Sequence, residues 1–232
     1  MILGLETAVE RVGVAVGDSR GVVASASLTS DRRHAESLTP MIRFVMDQAA
    51  LEMADLSAVA VDAGPGLFTG MRVGIAAAES LAWALEIPAV PVCSLDVVAM
   101  NAATSRDTVA VALDARRGEV YWSLYVPTDG GTPVRLSEPT VGSPEDLAIA
   151  LADRAEDVTC VGSGFHRHLD MFDAPWMTVL AADLALPAVE NVVRLGSAVA
   201  SLGDGAHRAT VEPIYLRAPD AEINWQTREA AR

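Results

Sequence analysis

The stretch VDAGPGLFTGMRVGIAAAESLAWAL, residues 61–85, decides how this chain is read. A short apolar run enters Gly64-Pro65-Gly66, passes Phe68-Thr69-Gly70 and opens a helix over 71–85. Two readings of the turn stand. Backbone N–H groups at a helix N-terminus can hold phosphate or a nucleotide, with Gly64, Gly66 and Thr69 as contacts. Equally, glycines let a strand turn sharply into a closely packed helix. The turn lacks G-x-G-x-x-G, and all 17 basic residues are arginine, so no P-loop lysine and no Schiff-base lysine exists.

The helix after the turn is unusual. Arg72 and Glu79 are its only charges, and Gly74, Ala76, Ala77, Ala78 and Ala82 make much of its surface small. A helix apolar nearly all round must be covered on nearly all sides. The preceding helix, predicted over 34–53, repeats apolar residues at Leu38, Met41, Ile42, Val45, Met46, Ala49 and Met53. Ser30 or Asp31 can cap it. A partner interface on the two helices is expected, built from Leu38, Met41, Ile42, Val45, Val73, Ala77 and Leu81. Burial of these residues within the monomer is the alternative.

Working outward, ILGLET, RVGVAVGD and GVVASASLT read as a meander of three strands. LSAVAVDA and IPAVPVCS are further strands, the latter leading to a short helix over 95–103. The order is β-β-β-α-β-α-β-α. TVAVALDA and GEVYWSLYV, joined at Arg116-Arg117-Gly118, begin a second half. There Ser143-Pro144-Glu145-Asp146 starts a helix, DVTCVGSG is a strand, and 187–202 is a late helix. This order points to an α/β protein of tandem RNase H-like (actin-like ATPase, ASKHA) fold, with mixed sheets flanked by helices. The predicted subdomains are 1–104 and 105–232, with a C-terminal segment able to return to the first. In that architecture Thr7, after the first strand, joins the candidate nucleotide contacts.

Glu6, Asp62 and Asp114 end strands, where carboxylates either hold magnesium or solvate a loop. His34, His166, His168 and His207 form no H-E-x-x-H pattern, and the FHRH pair is read as surface loop. Cys93 and Cys160, in apolar strands, read as buried free thiols of a reducing compartment. The N-terminus shows no basic leader, and the most apolar window is broken by Glu79, Glu86, Pro88 and Pro91. A soluble cytoplasmic protein without a membrane span is expected. The net charge of -14 opposes direct gripping of nucleic acid.

The chain resembles the bacterial TsaB (YeaZ) family, a subunit of the machinery that makes threonylcarbamoyladenosine in transfer RNA. The likeness rests on ILGLETA, HAESLTPMI (34–42), GPGLFTGMRVGIAAAESLA (64–82), IPAVPVCSLD (87–96), LDARRGEVYW (113–122) and PIYLR (213–217). It implies a non-catalytic role beside a TsaD-like carbamoyltransferase, acting on transfer RNAs that read codons beginning with A. A TsaE-like ATPase and self-pairing as a homodimer are also implied, with transfer RNA met only through the complex. ATP or ADP is expected at most at the complex interface and no cofactor is expected tightly bound. The similar TsaD catalyst carries an HxxxH metal pair after the strand that follows the glycine block. Aligning its PVHHMEGH with PVCSLDVV places Ser94 and Val98 at those two positions, and neither replaces an imidazole. The competing readings are an actin-like ATPase or kinase and, less favoured, a metallopeptidase.

Overall fold

The computed structural model describes residues 1–29, 34–129, 131–201 and 210–217. Hairpin-sized connectors pair β1 (Ile2–Glu6), β2 (Arg11–Asp18) and β3 (Gly21–Thr29) antiparallel, with Leu5 opposite Val14. α1 (His34–Gln48) then leads to β4 (Ala58–Asp62), α2 (Phe68–Leu85), β5 (Ala89–Val92) and α3 (Ser94–Ala99). The strands β1, β4 and β5 run parallel, so the first sheet has the order β3-β2-β1-β4-β5. Both β1 and β4 are buried along their whole length, which is why they read as unbroken apolar runs. The edge strand β3 instead alternates in exposure.

The second half repeats the plan. β6 (Thr108–Arg116) and β7 (Glu119–Val126) form a hairpin whose Arg117 and Gly118 are left-handed, at φ 57 and 79. Two such residues suit the twist of a tight hairpin. β8 (Val134–Arg135) and β9 (Thr140–Gly142) both pair with β7. α4 (Pro144–Ala152), β10 (Val158–Val161), α5 (Ser163–Arg167), β11 (Met177–Val179) and α6 (Val189–Ser201) follow. β6, β10 and β11 are parallel, giving β11-β10-β6-β7-β8. The two sheets thus share one strand order, and the fold is the tandem RNase H-like, actin-like one.

Each half is completed by a helix from the other. α6 lays Val189, Val192 and Val193 on Ile2, Ala15 and Ala60 of the first sheet. α3 buries Leu95, Val98 and Ala99 against Val109, Val111 and Tyr125 of the second. A buried amide pair ties the crossing. Asn191 donates to the Asn101 side chain at 2.8 Å and to the Val97 carbonyl at 3.3 Å, and Asn101 donates to Leu184 and Leu186 carbonyls.

Several boundaries differ from the sequence reading. α1 stops at Gln48, because Ala50 turns left-handed (φ 52) and the Leu51 N–H reaches back to the Met46 carbonyl at 3.1 Å. Met53, which continued the apolar period, lies in a separate 3₁₀ turn. α2 begins three residues earlier than 71, at Phe68. α3 passes into 3₁₀ geometry at Met100–Ala102. Strands β8, β9 and β11 are too short to show a period, and α5 has a single turn. The Ser143 cap forms as expected, its hydroxyl accepting the Asp146 N–H at 3.1 Å. Ser30, Asp31, Leu202 and His207 lie outside the described residues.

Removing the amide pair tests the helix exchange. Asn191→Leu removes the donor to the Val97 carbonyl and to the Asn101 oxygen, and should cost about 2 kcal/mol in urea unfolding. A change within about 0.5 kcal/mol, the usual range for surface substitutions, would show that the crossing does not depend on it.

Candidate functional site

The glycine block is shaped by close packing. The loop after β1, Thr7 and Ala8, lies directly on the start of α2, and the Leu67 N–H donates to the Ala8 carbonyl at 2.6 Å. A methyl group at Gly66 would overlap that carbonyl oxygen, and one at Gly70 would overlap the Thr7 carbonyl oxygen. Thr7 is fully buried, and its hydroxyl donates to the Gly70 carbonyl at 2.8 Å. Of the four residues expected to meet nucleotide, Thr7 and Gly64 are therefore interior, whereas Gly66 and Thr69 reach a cleft between the halves. The cleft holds about 360 Å³ and is walled on the far side by Asp114, Arg116, Tyr121 and residues 214–217.

Beneath the loop two carboxyl groups meet out of water. Glu6 and Asp62, at the ends of adjacent parallel strands, are both fully buried. Glu6 Oε1 accepts the Ala8 N–H at 2.7 Å. Asp62 Oδ1 accepts the Gly64 N–H at 2.8 Å and the Ser94 hydroxyl at 2.5 Å. The remaining oxygens, Glu6 Oε2 and Asp62 Oδ2, are buried and accept no hydrogen bond from a donor among the described residues. Burial chiefly, then the charge of Asp62 and the hydrogen bond to it, push Glu6 well above the usual carboxylate range. Burial also raises Asp62, against the lowering effect of donors on Glu6, Ser94 and Gly64. Both carboxyls are thus biased toward the neutral form, Glu6 the more strongly.

The third strand-end acid is separate. Asp114 is engaged by Arg116 at 3.6 Å and Arg167 at 3.3 Å. Among the described residues, no group of three or more His, Cys, Asp or Glu side chains is placed to hold a metal. Ser94 and Val98 are fully buried, the first bound to Asp62 and the second packed in the core of the second half. Burial pushes the Cys93 and Cys160 thiols up to about 12. His34 is buried with Nε2 2.7 Å from the Val9 carbonyl, and His166 Nε2 lies 3.0 Å from the Leu180 carbonyl.

The two helices offer a different surface from the one expected. Leu38, Ile42 and Val45 point into the first core with Leu3, Leu5 and Val59. Met41, Val73, Ala77 and Leu81 are half-buried against it. An apolar stripe at helical spacing is what the chain's own sheet covers first, which accounts for this placement. A groove of about 480 Å³ between α1 and α2 is lined at its floor by Ile42, Met46, Ala77 and Leu81. Outward from it stand Phe44, 53% exposed, and Trp83, 78% exposed. On α2 the exposed stripe is Phe68, Arg72, Ala76, Ser80 and Trp83, with aromatics at both ends and small residues between. Trp83 lies away from the buried face that Met71, Gly74, Ile75, Ala78 and Ala82 define.

Comparison with known proteins follows this geometry. A family profile described as "TsaD: tRNA N6-adenosine threonylcarbamoyltransferase" matches residues 21–225. The solved structure of YeaZ from Pseudomonas aeruginosa superimposes with a TM-score of 0.76 at 30% identity, over 93% of this chain and 99% of that one. The chain belongs to the TsaB (YeaZ) family. The Escherichia coli member, tRNA threonylcarbamoyladenosine biosynthesis protein TsaB, is 29% identical over 93% of this chain and 94% of its own. An uncharacterized Mycobacterium tuberculosis protein is 38% identical over 95% of this chain and 93% of its own. No helix among the described residues is long and apolar enough to cross a membrane.

The raised Glu6 carboxyl gives a pH signature. Glu6 binds its proton more tightly folded than unfolded, so the pair favours folding fully below the ordinary glutamate range. That contribution is lost as pH rises from there toward the raised value. Glu6→Gln keeps the acceptor for the Ala8 N–H on a permanently neutral group. Measured by urea unfolding from pH 5 to 8, its stability relative to the parent should climb steadily with pH. A constant difference across that range would mean that Glu6 is ionised in the folded chain.

Proposed function

We propose that this chain is the non-catalytic partner subunit of a TsaD-like carbamoyltransferase in the formation of threonylcarbamoyladenosine in transfer RNA. The observation that carries the reading is the state of Ser94 and Val98. At the two positions where the aligned catalyst has imidazoles, this chain has a buried hydroxyl bound to Asp62 and a buried isopropyl group. A closed apolar position offers neither a donor atom nor an open coordination site to a catalytic metal. The buried thiols at Cys93 and Cys160 supply no nucleophile either, since the thiolate is the reactive form.

The docking surface on this reading is the outer face of α2 beside the α1–α2 groove. Small residues at Ala76 and Ser80 let a partner helix approach closely, while Trp83 and Phe68 supply area. A tryptophan as exposed as Trp83 has the character of an interface anchor. In the free chain the same surface serves for homodimerisation, and in the full complex the TsaE-like ATPase joins. ATP or ADP, where it binds, lies at the junction of subunits near the cleft. The negative charge of the chain leaves the grip on transfer RNA to its partners.

Reconstitution tests the reading. With a cognate TsaD-like protein, a TsaE-like ATPase, threonylcarbamoyl-adenylate and transfer RNA, modification should require both this chain and the TsaD-like protein. Trp83→Ala should weaken their pairing about 30-fold, the scale of an interface hot spot. Ala76→Arg should abolish pairing with an unchanged melting temperature. Modification by this chain without the TsaD-like protein, or undiminished pairing by Ala76→Arg, would contradict the proposal.

A further inference from the structure

Residues 211–217 run across the molecule from one half to the other. Val211 is buried in the first core, Ile214 packs against both cores, and Leu216 packs against the second. The Val211 N–H donates to Glu79 Oε1 at 2.8 Å, and the Ile214 N–H donates to the Ala63 carbonyl, at the glycine turn, at 2.8 Å. The Tyr215 ring stacks on Phe68 with centroids 5.4 Å apart. Arg72 donates from Nε to the Tyr215 hydroxyl at 3.0 Å, and its guanidinium lies 3.8 Å from the Phe68 ring centre. At the far end Arg217 pairs with Glu119 of β7 at 2.7 Å.

The two charges of α2 now have a common use. Arg72 and Glu79 are the only charged residues of that helix, and both hold this segment. The same segment supplies four residues, Ile214 to Arg217, to the wall of the cleft between the halves. Phe68 and Arg72 also belong to the exposed stripe of α2.

We propose that residues 211–217 form a strap that couples the outer face of α2 to the cleft. A partner that engages Phe68 and Arg72 moves or clamps Tyr215, and with it Ile214 and the cleft wall. Docking on α2 and occupancy of the cleft are then linked, each changing the affinity of the other by the same factor. The partner half of this statement rests on the docking role proposed above for α2. The strap itself is a property of the free chain.

Amide hydrogen exchange resolved by residue tests both parts. In the free chain, Glu79→Ala should raise exchange at Val211 and Ile214 about tenfold or more, the loss of a hydrogen bond to a charged acceptor. The rise should spread to residues 114–119, which share the cleft wall with 214–217, and leave β2 and β3 unchanged. Glu79→Gln, which keeps the acceptor, should restore most of the protection. Tyr215→Phe, which keeps the stack, should raise exchange at 214–217 with the fold intact. Adding the cognate TsaD-like protein should slow exchange at 214–217 and 114–119 in the parent, and much less in Tyr215→Phe. A rise confined to Val211, or partner binding that leaves 214–217 unchanged, would overturn the proposal. If the parent forms no complex, the docking role fails, and the free-chain spread across the cleft alone decides the strap.

Discussion

The contact of the Thr7–Ala8 backbone with the first turn of α2 is the constraint on which the rest depends. Two carbonyl oxygens lie where a side chain at residue 66 or 70 would begin, so only glycine fits at either position. That approach brings α2 flat against the sheet. It also closes the interior loop over Glu6 and Asp62, whose burial raises both carboxyls above their ordinary range. The Ser94 hydroxyl then ties the start of α3 to the same carboxylate, so the turn, the helix and the crossing between halves meet at one point.

Much of this plan was legible in the chain. The alternation at Val12, Val14 and Val16, the apolar runs of β1, β4 and β6, and the Ser143 cap are local signals that tertiary packing left intact. The strand order of the second sheet was harder, because β8, β9 and β11 have two or three residues each and no measurable period. At the site, the glycines were visible but their role was ambiguous. A glycine that admits a phosphate and a glycine that admits a neighbouring carbonyl look the same in one dimension. The juxtaposition of Glu6 and Asp62 was hidden for a similar reason: the two residues are 56 positions apart and become neighbours only through the parallel pairing of β1 with β4.

The helices show how much an apolar stripe leaves undecided. Leu38, Ile42 and Val45 stood out because they keep helical spacing, and that spacing is what places them in the core. The large apolar side chains left exposed are ones that break the stripe, Phe44 on α1 and Trp83 on α2. An apolar residue out of phase with the buried face is the more telling mark of an interface.

Two halves with one strand order, joined through α3 and α6, make a cleft. Ser94 and Val98 are closed in the interior, and the most exposed large apolar side chain among the described residues, Trp83, lies on the outside of α2. The account therefore turns on Trp83. Hydroxyl-radical footprinting of the chain, alone and with its cognate TsaD-like protein, reads that side chain directly. The account predicts rapid oxidation of Trp83 in the free chain, in keeping with its 78% exposure, and strong protection in the complex. Oxidation of Trp83 at the same rate in a verified complex would place the interface elsewhere and contradict it.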